Sequence, residues 1–268
     1  RGMRLLERWL YRVAEKIIIL APGSEGYLLS RGVQKDRIAY IPNGVHLGNF
    51  QAGGDSPAGQ AASGVNDLQV PQREAAASGA GRAGEGETFT VIYTGAHGPA
   101  NSLETVLEAA QLLKGQPGIR FMLVGDGPSK AALVKKAQEL GLKNVLFMDP
   151  VPKEQIPSLL AGADAALITL RAAQAFAYAI SPNKLFDYMA AGKPVLCAVP
   201  GDMARLVVEN HAGLAVEPED PGALAQAVTR LKEMPPAERA AMGQCGRSLV
   251  ERRFSRERLA GELIRVVG

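Results

Sequence analysis

From Phe89 onward, short apolar segments alternate with segments of helical periodicity, and this alternation constrains the fold more than any other feature. The apolar segments have the length of strands buried on both faces, and glycine- or proline-rich turns separate them from the helices. Six segments are predicted strands: Phe89–Tyr93, Ile119–Val124, Val145–Met148, Ala165–Leu170, Val195–Val199 and Leu214–Val216. Because right-handed crossovers join parallel strands, the sequence predicts an α/β fold with a doubly wound, Rossmann-like parallel sheet.

The segment 181–201 has the clearest helix–turn–strand pattern, and it reads SPNKLFDYMAAGKPVLCAVPG. Ser181 is a good N-cap, and Pro182 suits the first helical position. Gly192 is predicted to end the helix, because glycine adopts left-handed geometry without steric cost. The helix would begin at the mouth of the sheet, where its free N–H groups and positive dipole end attract a phosphate.

Two charged residues lie on the first turn of this predicted helix. Lys184 could supply a mobile positive charge to a diphosphate, and Asp187 could accept hydrogen bonds from sugar hydroxyls. The alternative is an exposed ion pair on a helix face, which is common in proteins. The neighbouring Pro182-Asn183 and the position at the mouth of the sheet favour the ligand-binding interpretation.

Glycine-rich loops follow the predicted strands Phe89–Tyr93 and Ile119–Val124. Gly95-x-x-Gly98 would let the backbone approach a pyrophosphate, although any tight turn of this kind favours glycine. His97 lies between these two glycines in the sequence and is expected on the solvent side, as an ordinary surface histidine. Gly125-Asp126-Gly127-Pro128 lacks the third glycine and the downstream acidic residue of a dinucleotide fingerprint, so no nicotinamide cofactor is expected.

Other chemistries are not indicated by the sequence. It has no P-loop, no His/Cys cluster for zinc and no Asp-x-Asp pair for a metal that holds a sugar nucleotide, so no metal is expected. A net charge of +3 does not indicate a nucleic-acid partner. Cys197 and Cys245 are typical of reduced thiols in a cytoplasmic protein. No apolar run reaches the length of a membrane span, and we recognise no signal peptide.

Residues 1–15, RGMRLLERWLYRVAE, predict an amphipathic helix. Arginines lie on one face and apolar residues mostly on the other: Arg1, Arg4, Arg8 and Arg12 against Leu5, Leu6, Trp9, Leu10 and Val13. Such a helix either makes a peripheral contact with an anionic membrane surface or packs its apolar face on its own protein. We favour packing.

Residues 16–47 are interpreted as the end of a second, partial α/β domain. Lys16–Leu20 and Arg37–Ile41 are predicted strands, and Pro42-Asn43-Gly44 is a strong turn signal. Their partner strands would lie upstream, so we expect the sequence to be part of a longer protein. The expected organisation is the end of an N-terminal domain with a hinge (1–47), a flexible Gly/Ala/Ser-rich linker (48–88), a ligand-binding domain (89–254) and a C-terminal helix (255–268).

Several segments, in this order, resemble the C-terminal donor-binding domain of the GT-B glycosyltransferases of retaining family four, or group 1. The resemblance runs from Phe89 to about Phe254 and rests on YTGAHGPANSLETVLEAA, FMLVGDGP, NVLFMDPVPKEQIPSLLAGADAALITL and SPNKLFDYMAAGKPVLCAVPG. Upstream, AEKIIILAPG and IAYIPNGVHLGNF resemble the end of that family's acceptor-binding domain and its hinge. The resemblance implies transfer of an N-acetylated aminosugar from a UDP-sugar to a glycan or polyprenyl-linked acceptor, in the cytoplasmic synthesis of bacterial surface polysaccharide.

The resemblance also implies a donor site that works without a metal. The base would lie near residues 150–153, the ribose on Asp187, and the diphosphate between the Gly95–Gly98 loop and the amides of residues 183–185. Lys184 would be the catalytic cation that stabilises the departing UDP. The donor-binding residues so implied are Gly95, His97, Gly98, Asn101, Gly125, Val151, Pro152, Pro182, Asn183, Lys184, Leu185 and Asp187.

Three positions depart from the family pattern. Ala179 stands in place of a sugar-facing glutamate, Ala96 in place of a frequent phosphate-binding arginine, and His46 in place of an aspartate after the hinge Asn-Gly-Val. Two alternatives therefore stay open: a nucleotide-sugar-binding module without turnover, and a GT-B protein that resembles UDP-sugar epimerases. An epimerase would need more carboxylates and histidines in the cleft, and the three histidines are poorly placed for that role.

Overall fold

The computed structural model describes residues 2–50, 88–173 and 181–268, and its strands form two parallel sheets. The strands are β1 (Ile17–Ile19), β2 (Ile38–Tyr40), β3 (Phe89–Thr94), β4 (Ile119–Val124), β5 (Val145–Met148), β6 (Ala165–Thr169), β7 (Val195–Ala198) and β8 (Gly213–Ala215). β1 pairs with β2, and the other six form one sheet in the order β5-β4-β3-β6-β7-β8. The predicted α/β class and all eight strands are confirmed, to within one residue at each end.

Helices alternate with the strands along the described chain. They are α1 (Gly2–Val13), α2 (Ser24–Ser30), α3 (Leu103–Leu112), α4 (Lys130–Glu139), α5 (Ile156–Ala161), α6 (Asn183–Ala190), α7 (Asp202–Glu209), α8 (Pro221–Glu233), α9 (Pro236–Arg253) and α10 (Arg256–Val267). Short 3₁₀ turns occur at Lys35–Arg37, Leu47–Phe50, Pro99–Asn101 and Lys153–Gln155. Among these helices, none has a stretch long and apolar enough to cross a bilayer.

The strand order of the large sheet fixes where a ligand can bind. From β3 the chain moves outward to β4 and β5, then returns to the other side of β3 and moves outward again through β6, β7 and β8. The loops after β3 and β6 consequently diverge and leave a crevice at the C-terminal edge of the sheet. α6, which was expected to carry the functional residues, begins beside this crevice.

The six-stranded sheet is covered by helices on both faces, which explains why its strands are apolar throughout. On one face α3 and α8 contribute Leu107 and Val228 to the core, and on the other α6 and α9 contribute Phe186 and Leu249. All four side chains are almost wholly buried. This double packing makes the sheet edge a rigid support for the loops that follow the strands.

Both cysteines are free thiols, as the sequence predicted. Cys197 is buried in β7, where burial raises the pKa of its thiol to about 12, and Cys245 is exposed on α9. The first thiol is therefore held in its neutral form and contributes to packing.

Helix α6 begins one residue later than predicted, and Ser181 is not its N-cap. Pro182 occupies the N-cap position, and the helix starts at Asn183. Ser181 instead forms hydrogen bonds with the segment after β2: the Asn43 side-chain amide donates to the Ser181 carbonyl at 2.6 Å, and the Asn43 N–H donates to Ser181 Oγ at 3.4 Å. The end of the helix agrees with the prediction, because Gly192 has a positive φ of 65°.

The segment after β2 also forms hydrogen bonds with the C-terminal helices. The Val45 N–H donates to the Phe254 carbonyl at 2.9 Å, and Arg247 on α9 donates to the Phe50 carbonyl at 2.9 Å. Residues 48–50 therefore form part of a defined helical turn, and the prediction of a flexible linker is wrong for them. The rest of that prediction, residues 51–87, lies outside the described residues, and the domain limits stay predictions.

Helix α1 does not bury the face that we expected it to bury. Its Glu7 carboxylate faces the protein and accepts hydrogen bonds from Tyr11 at 3.0 Å and from Tyr27 at 2.5 Å. The apolar face is exposed instead, with Trp9 57% accessible; it comprises Leu5, Leu6, Trp9, Leu10 and Val13. The prediction that this face packs on the protein is wrong within the described residues, because Glu7 and Tyr11 make the contacts with the protein instead.

Candidate functional site

The loops after β3, β4 and β5 are joined to one another at the C-terminal edge of the large sheet. The Gly95 N–H donates to the Val124 carbonyl at 2.9 Å, and the Gly125 N–H donates to the Met148 carbonyl at 3.1 Å. The His97 N–H donates to the Asp126 carbonyl at 2.7 Å. The parallel ladder thus continues beyond the strands and holds the two glycine-rich loops side by side.

Two of the predicted glycines are required by this arrangement. Gly95 and Gly125 have φ values of 141° and 143°, which residues with a side chain rarely adopt. A Cβ on Gly125 would lie 1.9 Å from the Gly95 carbonyl oxygen, and one on Gly95 would lie 3.0 Å from Lys184 Nζ. Gly98 differs, because its backbone is extended and the nearest described atom to its Cβ would be the Asn101 side-chain nitrogen, at 3.8 Å.

Lys184 extends from the first turn of α6 to the loop after β3. Its Nζ donates to the Tyr93 hydroxyl at 2.8 Å and to Asn101 Oδ1 at 3.3 Å, and it lies 4.2 Å from the centre of the Tyr93 ring. Burial lowers the pKa of Lys184 to about 8. No carboxylate within the described ranges forms an ion pair with it, so its charge is oriented but not neutralised. The structure therefore brings together three predicted residues: Gly95, Asn101 and Lys184.

Tyr93 is the residue of this cluster that the sequence analysis missed. It is the last residue of a predicted strand, and its side chain is fully buried. Its hydroxyl also donates to the Ala96 carbonyl at 2.8 Å, inside the glycine-rich loop. A signal was available in the sequence, since a tyrosine two residues before such a loop carries a polar group to the end of an apolar strand.

His97 lies in a different environment from the one predicted. Its side chain is fully buried rather than on the solvent side, with the rings of Tyr93 and Phe147 at 6.0 and 6.2 Å. Among the residues that the structure describes, neither ring nitrogen has a hydrogen-bond partner. Burial lowers the pKa of His97, and the positive charges of Lys130 and Lys184 lower it further. The imidazole is therefore neutral, and the surface interpretation is wrong.

Lys130 connects the second glycine-rich loop to the next strand. Its ammonium donates to the Gly125 carbonyl at 2.9 Å, the Met148 carbonyl at 3.2 Å and Asp149 Oδ1 at 2.7 Å. This set of acceptors satisfies the lysine, so its role in the described structure is to hold the loops together. It contrasts with Lys184, which has two neutral acceptors.

At the start of α6, the structure distinguishes the three residues whose amides were expected to bind a diphosphate. The Leu185 N–H donates to the Pro182 carbonyl at 3.1 Å, and the Leu185 side chain is wholly buried. The Leu185 amide is therefore committed to the first turn, which argues against its predicted contact. Asn183 is exposed, and Lys184 is partly buried with its side chain directed at Tyr93.

Asp187 lies one turn further along α6 and is half-buried. Burial raises the pKa of its carboxyl, while the positive charges of Lys153 and Arg256 lower it. Lys153 belongs to the segment after β5, where the base was predicted, so that segment lies near enough to α6 for its charge to act on Asp187. There Val151 is half-buried and Pro152 is exposed, and the Pro152 carbonyl accepts from Gln155 at 2.9 Å.

Two further observations delimit the site. No group of three or more His, Cys, Asp or Glu residues in the described ranges is arranged to hold a metal ion.

A surface groove of about 740 Å³ lies between α3, α8 and the start of α9, and Leu112, Thr229 and Glu233 are among its lining residues. None of the predicted site residues lines this groove, so the crevice at the sheet edge remains the candidate site.

Comparison with known proteins identifies the family of this chain. Residues 88–233, which include the whole sheet and the cluster around Lys184, match the family model described as "Glycosyl transferases group 1". The chain belongs to this family. The match covers more than half of the sequence and confirms the family resemblance inferred from its motifs.

Individual relatives are more distant. WcaI of Escherichia coli, named as a colanic acid biosynthesis glycosyl transferase, is 28% identical over 239 residues, which are 88% of this chain and 53% of that protein. A D-inositol 3-phosphate glycosyltransferase of Thermomonospora curvata is 25% identical over 76% of this chain and 45% of its own length. The chain thus spans about half, or less, of the length of these curated relatives.

Solved structures show the same fold. The crystal structure of Anabaena Alr3699/HepE in complex with UDP aligns with a TM-score of 0.76 and 20% identity, over 99% of this chain and 67% of that one. Sucrose-phosphate synthase from Thermosynechococcus elongatus aligns with a TM-score of 0.70 and 24% identity, over 99% of this chain and 61% of that one. These likenesses establish a GT-B architecture for the large sheet and its helices.

Proposed function

We propose that this chain binds a UDP-sugar at the crevice and forms the donor-binding half of a glycosyltransferase of bacterial surface-polysaccharide synthesis. The observation that carries the proposal is the Lys184 ammonium, which is buried enough to lower its pKa to about 8 and contacts two neutral acceptors. Placing a cation there without a carboxylate costs free energy. Binding an anion would offset that cost, and the pyrophosphate of a sugar nucleotide is an anion of suitable size.

The relatives support the nucleotide and the pathway in this proposal. WcaI is named for colanic acid biosynthesis, and the Anabaena protein was crystallised with UDP. We assign the same classes to this chain: a UDP-sugar as donor, and a glycan or polyprenyl-linked sugar as acceptor. An N-acetylated aminosugar as the transferred group remains a proposal that rests on the family resemblance.

The proposed chemistry is electrostatic. The glycosidic carbon acquires positive charge as the bond to UDP breaks, and negative charge develops on the departing diphosphate. Lys184 would stabilise that charge, and it is already oriented by Tyr93 and Asn101, so little reorganisation is needed. Asp187 would accept hydrogen bonds from the ribose hydroxyls. We propose that no metal takes part and that the anomeric configuration is retained.

A titration of the chain with nucleotides tests the donor class. In buffer with EDTA, we expect UDP to bind at least tenfold more tightly than GDP, and UDP-N-acetylglucosamine more tightly than UDP-glucose. Equal affinity for UDP and GDP would contradict the uridine assignment. A preference for UDP-glucose would be consistent with the proposed donor site, but it would contradict the aminosugar assignment.

The second candidate is a nucleotide-sugar-binding module without turnover. The observation in its favour is Ala179, which stands where the family has a sugar-facing carboxylate and lies outside the described residues. Incubation with a labelled UDP-sugar and a polyprenyl-diphosphate-linked acceptor separates the two. Labelled lipid product supports the transferase, and tight UDP binding without product supports the module.

The proposed location is the cytoplasmic side of the membrane, with a peripheral contact through α1. The exposed apolar face of this helix, flanked by Arg8 and Arg12, has the composition of helices that lie in a membrane interface. A polyprenyl-linked acceptor would be reached from the same surface. The contact is independent of the donor site and has its own test below.

A further inference from the structure

Tyr93 connects the lysine of the candidate site to the glycine-rich loop. Its hydroxyl oxygen lies 2.8 Å from Lys184 Nζ and 2.8 Å from the Ala96 carbonyl oxygen. Its ring lies beneath the same ammonium, with 4.2 Å between Nζ and the ring centre. The side chain is fully buried, so these contacts are fixed by the packing of β3 and α3.

The direction of both hydrogen bonds is determined by chemistry. The Ala96 carbonyl can only accept, so the Tyr93 hydroxyl donates its proton to it. The hydroxyl oxygen is then free to accept from Lys184, whose ammonium can only donate. Burial raises the pKa of Tyr93 well above its usual value, which keeps the proton on the hydroxyl.

We propose that Tyr93 is a positioning residue of the donor site, which orients Lys184 toward the diphosphate and holds the glycine-rich loop through the Ala96 carbonyl. The inference rests on the proposed function, since it assigns Tyr93 to the same anion site. Neutral acceptors suit this role, because they hold the ammonium in one place and leave its full charge for the ligand. A carboxylate would also hold the lysine, but it would cancel the charge that the diphosphate needs.

Orientation matters because lysine is flexible. A free lysine side chain loses rotamer entropy when it binds a ligand, and a side chain that is already held loses less. Asn101 Oδ1, at 3.3 Å from Nζ, is the second neutral acceptor and acts in the same sense. We therefore expect removal of the Tyr93 hydroxyl to weaken contacts with the diphosphate and to leave contacts with the nucleoside unchanged.

Tyr188 provides a matched control. It is also fully buried, and within the described residues its hydroxyl forms hydrogen bonds with Thr94 alone: it accepts from the Thr94 N–H at 2.9 Å and from Thr94 Oγ1 at 3.2 Å, and it donates to the Thr94 carbonyl at 3.3 Å. Tyr188→Phe thus removes a buried hydroxyl of the same kind that does not contact Lys184. A general loss of stability would affect both variants alike.

The experiment compares Tyr93→Phe, Tyr188→Phe and the wild-type chain. Calorimetry with UDP and with uridine gives the contribution of the diphosphate. NMR of chain carrying ¹³Cε-labelled lysine gives the titration midpoint of Lys184, assigned by its loss in Lys184→Ala. For Tyr93→Phe we expect UDP affinity to fall about five- to tenfold with uridine affinity unchanged. The Lys184 midpoint should move to lower pH, because the ammonium has lost an acceptor.

The outcomes separate this inference from the proposed function. An unchanged Lys184 midpoint and an unchanged UDP-to-uridine ratio in Tyr93→Phe would overturn the inference, as would an equal effect of Tyr188→Phe. A shifted midpoint in a chain that does not bind UDP would overturn the proposed donor and keep Tyr93 as the residue that positions Lys184. If Tyr93→Phe does not fold, Asn101→Ala should move both readouts in the same direction, and no movement would overturn the inference.

Discussion

At the C-terminal edge of the large sheet, polar side chains are buried and apolar packing surrounds them, whereas helix α1 exposes its apolar side chains and turns a carboxylate inward. Lys184 is held by Tyr93 and Asn101 at the sheet edge, while Glu7 of α1 is held by Tyr11 and Tyr27. In the first region the cost of burial is concentrated on a cation with neutral partners. In the second region the unfavourable free energy comes from an apolar face that remains in contact with solvent.

The comparison indicates two kinds of binding surface. A buried cation without a carboxylate partner favours binding of a small anion, and an exposed row of large apolar side chains favours binding of another apolar surface. The ligand site and the α1 surface should therefore respond independently to substitution. The predictions that follow test that independence.

The largest effect is expected at the joined glycine loops. Gly125→Ala would place a Cβ 1.9 Å from the Gly95 carbonyl oxygen at a φ of 143°, so we expect it to lower the free energy of unfolding by about 3 kcal/mol and to abolish UDP binding. Gly32→Ala, between α2 and β2, is the control, because its φ is 83° but no described atom would lie within 4 Å of the added Cβ. It should cost about 1 kcal/mol. Equal midpoints in urea unfolding would refute the close approach of the two loops.

The next effect concerns pH and follows from the lowered pKa of Lys184. UDP affinity should fall about tenfold between pH 7 and pH 9, because the ammonium titrates near 8. The stability of the ligand-free chain should change in the opposite sense. Between about 8 and 10.5 the unfolded state binds more protons at this residue than the folded state, so its contribution to stability rises with pH.

Lys184→Met is the control for both measurements. It should remove the alkaline loss of UDP affinity and the corresponding rise in stability relative to wild type, as measured by calorimetry and urea unfolding at several pH values. A pH profile identical in the variant and the wild type would mean that another group titrates.

A smaller effect is expected at Asp187. Asp187→Asn should weaken UDP binding about threefold to tenfold, because a neutral amide is a poorer acceptor for the two ribose hydroxyls. It should have no effect on 2′,3′-dideoxy-UDP, which lacks them. Equal losses for both nucleotides would indicate that the half-buried carboxylate stabilises the fold rather than binding ribose.

The smallest effect on the fold is expected at α1. Trp9→Glu should change the free energy of unfolding by less than about 0.5 kcal/mol and leave UDP affinity unchanged, because the side chain is exposed. It should reduce sedimentation with anionic lipid vesicles by more than half if this face binds the membrane. Leu112→Glu, at another exposed apolar position, is the control and should have no effect on sedimentation. Wild-type chain that remains in the supernatant would contradict the membrane contact.

Local patterns predicted the sheet well because its strands are buried on both faces. Val145–Met148 and Ile119–Val124 agree with the structure at both ends, since uninterrupted apolar runs bounded by turns have few other interpretations. The same patterns placed the site at the carboxyl ends of the strands, because ligands bind there in doubly wound parallel sheets and the glycine-rich loops follow those strands. Gly95 and Lys184 were predicted from that placement, and Asn101 was implied by the family resemblance.

The errors arose where contacts distant in sequence decided the outcome. Ser181 is a good cap by composition, but the hinge residue Asn43 occupies its hydrogen-bonding groups. His97 was assigned to the surface because its loop looked solvent-exposed, and pairing of that loop with the loop after β4 buried it. Periodicity showed that α1 is amphipathic, but it does not specify which face the rest of the chain covers.

The most direct test of the central claim is a calorimetric titration of the chain with UDP in EDTA, for wild type, Lys184→Ala and Lys135→Ala. Lys135 is an exposed lysine on α4, paired with Glu139, and serves as the charge-matched control. The account predicts that Lys184→Ala weakens UDP binding at least tenfold, about 1.4 kcal/mol, and that Lys135→Ala leaves it unchanged. Wild-type affinity in a folded Lys184→Ala variant would contradict the assignment of the diphosphate to this lysine.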